Sequence, residues 1–291
     1  MFPIKRFVIY FMTLACMLNI FSCNKEKKEI SKSDRIIKTL IISHRGVSES
    51  NLENTIYSFA NAISLGSDMI ELDVRKTKDK VLVVFHDDNL KRIFRINKKI
   101  SDVSYSFLLS LDLTNHFRSN LSDVFVPTLE DAIKYLNGKC PLLIDIKEKE
   151  VCDDVVQLIR SLNIYGNVTI TSFDTDTVSK IKQLDDRIKI AMNLNKIQSI
   201  LISTKAILNK LKNLKSNQLI IWHRGASRYF INKMQANQIQ VWIRTVNTRP
   251  LIKKFIDFNV DGIITDYPER VSNILIPINS SSDSGEFDHP L

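Results

Sequence analysis

Two carboxylates, Glu71 and Asp73, stand two residues apart in the run Asp68-Met69-Ile70-Glu71-Leu72-Asp73-Val74. Side chains alternate faces along a strand, so Ile70, Leu72 and Val74 share one face while Met69, Glu71 and Asp73 share the other. Buried without partners, each carboxylate costs several kcal/mol. A cation between them removes that cost, and a metal ion is the simplest one; exposure at the strand's end is the other way out. Polar groups cluster nearby in the chain: His44-Arg45-Gly46 and Glu53-Asn54-Thr55 come before, and Phe85-His86-Asp87 comes after. Imidazoles titrate near neutral pH, so an acid pair beside a histidine has the parts for metal-assisted or general acid–base chemistry.

The elements that must position these groups follow from spacing. Only Arg75 to Lys80 separates Val74 from Val81, which is too short for a parallel crossover. The spacing predicts an antiparallel hairpin turning near Lys78 and Asp79, with Phe85 and His86 brought opposite Ile70 to Asp73. Further strands are predicted at Leu40 to Ser43, Met69 to Val74, Leu142 to Ile146, Val168 to Thr171, Ile188 to Met192, Leu219 to Trp222, Val241 to Thr245 and Gly262 to Thr265. Helical spacing fills the gaps, as in Ile56, Phe59, Ala60 and Ile63 before Gly66, and in Leu129, Ala132, Ile133 and Leu136 between Thr128 and Gly138. Val151 to Leu162 and Leu251 to Ile256 repeat the pattern. Eight strands each followed by a helix fit a (β/α)8 TIM barrel with a short antiparallel hairpin after the second strand, in preference to an open doubly wound sheet. The preference rests on polar residues at strand C-terminal ends along the whole chain: His44, Asp73, Asp145, Ser172, His223, Thr245 and Asp266. Residues 89–126 are the one long excursion, expected to form a small lid or side element.

Before the barrel, Lys5 and Arg6 precede an apolar run from Phe7 to Phe21, and Ile20-Phe21-Ser22-Cys23 resembles a bacterial lipobox. Residues 1–22 therefore read as a lipoprotein signal peptide, Cys23 as the lipidated mature N-terminus, 23–38 as a tether, 39–276 as the barrel domain and 277–291 as a disordered tail. The run is short for a membrane-spanning helix. This implies an extracytoplasmic protein of a bacterial cell envelope, held at the membrane through its lipid anchor. Without residues 1–22 the chain has 39 basic and 32 acidic side chains. The surplus lies on lysine-rich helices and forms no arginine stripe or aromatic-interleaved patch, so nucleic acid is not expected as a partner. Cys140 and Cys152 flank the strand Leu142 to Ile146, whose length exceeds disulfide reach, and are expected as packed free thiols.

Neither a glycine-rich nucleotide loop nor a nucleophile-elbow serine is present, so a bound phosphate must be held by metal, arginine and lysine. The motifs His44-Arg45-Gly46, Glu53-Asn54-Thr55, Glu71-Leu72-Asp73, His86-Asp87, Pro127-Thr128-Leu129-Glu130, Asp145-Ile146-Lys147, Ser172-Phe173-Asp174, Thr245-Val246-Asn247 and Thr265-Asp266-Tyr267-Pro268 together resemble the glycerophosphodiester phosphodiesterase family. The resemblance spans essentially the whole chain after the tether, and is weakest between Asp186 and Met234. It implies a (β/α)8 barrel that uses one divalent cation, Mg2+ or Ca2+, to hydrolyse a small glycerophosphodiester to glycerol 3-phosphate and an alcohol. It further implies His44 and His86 as the acid and base pair, Glu71, Asp73 and Asp145 as metal ligands, and Arg45 and Lys147 as phosphate contacts.

Three positions depart from the family pattern: Asp145 stands where glutamate is usual, Leu52 where proline precedes Glu53, and Arg244 where an aromatic precedes Thr245. Glu53 either touches the site or favours the first turn of the following helix through its dipole, and the second reading is preferred. A second His-Arg-Gly, at His223, Arg224 and Gly225, follows a strand outside the family's motif positions. His116 and His289 receive no role. Two other functions are open: a phospholipase D-like enzyme acting on intact lipids, in keeping with the tether, and a non-catalytic surface binding lipoprotein, in keeping with the altered third ligand. The lipobox has a direct test. Palmitate labelling of the expressing cells is expected to mark the wild type and not Cys23→Ser; an unlabelled, membrane-embedded wild type would show a plain anchor instead.

Overall fold

Every apolar run expected to be a strand is one in the computed structural model, which describes residues 39–48, 52–114 and 124–275. The strands are β1 (Leu40–His44), β2 (Met69–Lys76), β3 (Leu82–Val84), β4 (Leu142–Ile146), β5 (Val168–Ser172), β6 (Lys189–Asn193), β7 (Gln218–Trp222), β8 (Gln240–Arg244) and β9 (Gly262–Thr265). Their order is β1-β9-β8-β7-β6-β5-β4-β2-β3, and β1 also pairs with β2, which closes the sheet. Eight strands are parallel and form the barrel wall. β3 is the exception: it pairs antiparallel to β2 with Val74 opposite Val84, so the expected hairpin is present. Phe85 continues it, donating its amide to the Asp73 carbonyl at 3.0 Å.

Alternation divides each strand between two cores. Ile70, Leu72 and Val74 face the surrounding helices, with Phe59, Leu129, Val155 and their neighbours. Met69 points the other way, into a small barrel interior shared with Ile42, Leu143, Ala191, Ile220, Trp242 and Ile264. The helices begin where the sequence signals them. Thr55 caps the helix Ile56–Ser64 in a reciprocal box with Ser58, Thr128 accepts from the Asp131 amide at 3.0 Å, and Gly66, at φ +85°, follows the first helix in the left-handed conformation. The excursion contains the short helices Lys91–Phe94 and Tyr105–Leu109. They close a separate apolar cluster with Leu52, Val83, Phe85 and Val126, so Leu52 acts there as a packing residue.

Cys140 and Cys152 are free and buried, as expected from the strand between them. The signal peptide, Cys23, the tether and the tail, with His116 and His289, lie outside the described residues. No described helix is long and apolar enough to cross a membrane.

The interior leaves little room at one strand. A Cβ on Gly262 would come within 2.8 Å of the Trp242 ring and 3.1 Å of the Ile42 Cδ1. Gly262→Ala is therefore expected to destabilise the barrel by about 1–3 kcal/mol through overpacking. Urea unfolding followed by Trp fluorescence measures it, and a midpoint equal to wild type would contradict the packing described.

Candidate active site

The last inward-facing residue of each strand is what the barrel presents at its C-terminal mouth. On β1 this is His44; on β2 the inward face ends in Glu71 and Asp73, on β4 in Asp145, on β6 in Asn193 and on β8 in Arg244. Register sets them side by side: His44 opposes Glu71, and Asp73 opposes Asp145. All but the fully buried Asp73 line a cavity of about 270 Å³, together with Arg45, His86, Lys147 and Phe173, over a floor of Leu143, Ile220 and Ile264. The floor residues are the top of the barrel interior. Apolar packing thus gives way to polar groups one residue pair further along β1, β2, β4, β6 and β8.

The site residues expected from the sequence converge here. Ligand oxygens of Glu71, Asp73 and Asp145 lie within 4.8 Å of one another, and all three side chains are buried. Lys147 places Nζ 2.7 Å from Asp73 Oδ1 and 2.5 Å from Asp145 Oδ2. Arg45 reaches Asp73 Oδ2 at 3.2 Å and Glu53 Oε1 at 3.0 Å. Its backbone is left-handed, at φ +59°, which turns its amide onto Glu71 Oε2 at 2.9 Å. Gly46 follows at φ +80° with no room for a Cβ against Ser58, so the tight loop requires glycine.

Electrostatics separate the three acids. Burial opposes ionisation of Asp73, yet Lys147 and Arg45 overcome it and hold the carboxyl well below the usual carboxylate range. Burial and the neighbouring Asp73 push Glu71 up to about 7, against His44 and Lys147. Burial also raises Asp145, in spite of Lys147, and Asp145 Oδ1 is buried with no hydrogen-bond partner. The protein's own cations leave this oxygen cluster short of positive charge. Such an all-oxygen set fits a hard divalent cation, and Asp145, which stands where glutamate is usual in the family pattern, still reaches the cluster.

The two histidines have different surroundings. His44 Nδ1 lies 2.6 Å from Asp266 Oδ1, and Asp266 is held by Asn247 Nδ2 at 2.5 Å. Burial works against the imidazolium, but Glu71 and the Asp266 hydrogen bond outweigh it and raise His44 above its ordinary range. His86 Nδ1 lies 2.6 Å from Asp87 Oδ1. Burial dominates there and lowers His86, despite the attraction of Asp73. Arg92 joins Asp87 to Glu53, at 2.6 Å from each, so a chain of alternating charges runs from His86 to Arg45.

Glu53 belongs to that chain. The helix Ile56–Ser64 has no acid in its first turn, because Glu53 precedes the Thr55 cap, so the dipole reading is corrected to an ion-pair role. Other groups had no assigned role in the sequence. Asn54, at φ +60°, donates to Asp73 Oδ2 at 2.8 Å and accepts from the Asp73 amide at 3.2 Å. Both Asn54 and Asp266 lie inside quoted motifs, but their partners are set only by the fold. Arg244 stacks 4.2 Å from the Phe173 ring centroid and donates to Asn193 Oδ1 at 2.9 Å and the Leu194 carbonyl at 3.1 Å. The second His-Arg-Gly does not line the cavity. It forms a short 3-10 turn after β7, with Arg224 over Trp222 at 5.2 Å.

Fold and site together define a class: a (β/α)8-barrel enzyme with its reactive groups at the C-terminal ends of the strands. The profile of the glycerophosphoryl diester phosphodiesterase family matches residues 44–270, and the chain belongs to that family. It is similar to the Bacillus subtilis protein YhdW, at 32% identity over 79% of this chain and 96% of that one. The mouse lysophospholipase D GDPD1 is 29% identical over 80% of this chain and 85% of its own length. A solved Oleispira antarctica phosphodiesterase in complex with the product sn-glycerol-3-phosphate shares the fold, with a TM-score of 0.72 and 23% identity over 80% of this chain and 95% of that one.

The Asp266 contact sets a sign for His44. A carboxylate against Nδ1 favours the imidazolium, so Asp266→Asn is expected to lower the His44 titration midpoint. Histidine NMR, with the resonance assigned through His44→Gln, measures it; an unmoved midpoint would remove Asp266 from the account.

Proposed function

We propose that the chain hydrolyses glycerophosphodiesters to glycerol 3-phosphate and an alcohol, using a divalent cation at Glu71, Asp73 and Asp145 and proton transfer by His44 and His86. The observation that carries this reading is the convergence of both imidazoles, the carboxylate cluster and the cations Arg45 and Lys147 on one cavity. Membership of the family supports it, as does the product held by the Oleispira antarctica neighbour.

Cleavage of a phosphodiester needs a hydroxyl deprotonated as it attacks, a leaving oxygen protonated, and the charge on the other phosphate oxygens balanced. His86, lowered by burial, is neutral near pH 7 and takes the nucleophile's proton. His44, raised by Glu71 and Asp266, keeps its proton and gives it to the leaving oxygen. Opposed shifts of this kind support this division of roles. Asp266 and Asp87 occupy Nδ1 of the two rings, which leaves each Nε2 for the substrate. Arg45 and Lys147 balance phosphate charge. A cation on the carboxylates supplies Lewis-acid polarisation of a phosphate oxygen, and the all-oxygen set favours Mg2+ or Ca2+.

The lipobox supports placing this activity on the extracytoplasmic face of a bacterial membrane, with Cys23 as the anchor. Action on lipid substrates is a second reading, favoured by the mouse relative named lysophospholipase D. A purely binding role is disfavoured, because Asp145 keeps its oxygens in the cluster.

Release of glycerol 3-phosphate from glycerophosphocholine tests the proposal. A chelator is expected to abolish it and Mg2+ or Ca2+ to restore it. His44→Ala and His86→Ala are each expected to lower turnover by about 10² to 10⁴. Asp145→Ala is expected to lose both metal affinity, followed by calorimetry, and turnover, while Asp145→Glu keeps them. Full activity in either histidine variant sinks the two-histidine mechanism, and turnover indifferent to chelator sinks the metal.

A further inference from the structure

The basic surplus of the chain is concentrated in one segment. Residues 187–256 contain fourteen lysines and arginines and no aspartate or glutamate, so all 32 acidic side chains lie elsewhere, beside 27 of the 41 basic ones. This segment builds β6 to β8 and the loops after them, and loops after barrel strands stand on the face that carries the active site.

The helix Lys196–Leu201 directly follows β6. Its Ser199 is buried and accepts from the Trp222 amide at 3.1 Å. A Cβ on Gly225 would run into the Ser199 carbonyl, so the helix and the 223–225 turn are packed as one shelf. Its outer side carries Ile197, Ile200 and Leu201, which are 69%, 59% and 76% exposed. That i, i+3, i+4 spacing makes a continuous apolar face. Tyr229, on the neighbouring helix Arg228–Ala236, is 74% exposed. These four are the most exposed large hydrophobic residues among the described ones. Cations stand on the same elements: Lys196 and Arg224 lie over Trp222 at 5.7 and 5.2 Å, and Lys233 lies over Tyr229 at 5.6 Å.

We propose that this shelf docks on an anionic phospholipid bilayer, with Ile197, Ile200, Leu201 and Tyr229 entering the headgroup–acyl boundary and Lys196 and Arg224 meeting the lipid phosphates. Exposed apolar side chains with cations on the same elements, and no acid in the segment, are what such a surface attracts. A second copy of the chain is a poor occupant, because a face-to-face pair would bring like charges together. The shelf adjoins the catalytic cavity: Asn193 and Leu194, which hold Arg244, immediately precede it. Docking therefore brings the cavity close to the lipid surface, whether or not Cys23 carries lipid.

Hydrogen exchange of the full chain reads this locally. On vesicles of phosphatidylglycerol and phosphatidylcholine, amides of residues 196–201 and 224–229 are expected to slow, with little change on phosphatidylcholine alone and none in the helix Leu129–Leu136. The double variant Ile197→Asp/Leu201→Asp is expected to lose that protection while hydrolysing soluble glycerophosphocholine as the wild type does. Lys196→Gln and Arg224→Gln are expected to weaken vesicle affinity roughly fivefold for each cation removed. Equal protection on neutral vesicles, protection elsewhere, or protection that grows with protein concentration without lipid would each overturn the proposal, the last in favour of self-association. Because the vesicle readout needs no turnover, it is independent of the activity proposed above.

Discussion

Three carboxylates buried side by side at the mouth of the barrel are the constraint that shapes the site. At 4.8 Å, the outer limit of their separation, each pair repels by roughly 3 to 4 kcal/mol at an effective dielectric of about 20. Arg45 and Lys147 answer most of that repulsion, and both converge on Asp73. Glu71 is the acid left under-compensated, with its carboxyl pushed up to about 7 by burial and by Asp73. The left-handed Arg45, the Gly46 that cannot carry a Cβ, and the Asn54 clamp on Asp73 all position charge or hydrogen bonds against this cluster. Local backbone geometry that would be costly elsewhere is tied here to neutralising buried acids.

The same alternation that buries the acids made the fold legible in the sequence. Period-two patterning in Met69 to Val74 assigns each side chain to a face, and the structure places Met69 in the barrel interior and Ile70, Leu72 and Val74 under the helices. The hairpin was legible because Arg75 to Lys80 cannot span a crossover. The partners that tune the histidines were not. Asp266 meets His44 across 222 residues, and that contact exists only because β1 pairs with β9 when the barrel closes. Arg92 joins Asp87 and Glu53 from within the excursion, where spacing gives no register. Motifs named which residues matter; ring closure determined which of them touch.

Charge is partitioned along the chain as well as around the site. The first half of the chain's strands, β1 to β5, delivers both histidines, His86 just after the hairpin strand β3, and all three carboxylates. Residues 187–256 deliver none of these and are free of acids altogether. The resemblance to the family is weakest between Asp186 and Met234, which covers most of this part of the chain. It builds a wall of the cavity with Asn193 and Arg244 and an outer shelf with Ile197 and Leu201. Strand periodicity constrains its interior residues, such as Ile220 and Trp242, while its loops are relieved of that constraint and carry the exposed apolar and basic groups.

Arg244 is where the two parts meet. An aromatic is usual at this position in the family pattern, and the structure shows what a guanidinium preserves and what it adds. A planar group still covers the cavity wall, stacked 4.2 Å from the Phe173 ring centroid, because a guanidinium presents a flat face much as a ring does. Its hydrogen bonds go to neutral acceptors, Asn193 Oδ1 and the Leu194 carbonyl, so its charge is not consumed by an ion pair. Burial lowers it only to about 10, with Asp145 and Glu71 opposing the fall, which leaves it cationic at neutral pH. Arg244 thus adds a third cation, after Arg45 and Lys147, beside the cluster of Glu71, Asp73 and Asp145. An aromatic in place of Arg244 would remove one of these positive charges. On the proposed function, Arg244 would join a divalent cation, Arg45 and Lys147 in drawing an anionic phosphate into the cavity. The substitution keeps the flat wall and changes the sign of what that wall attracts.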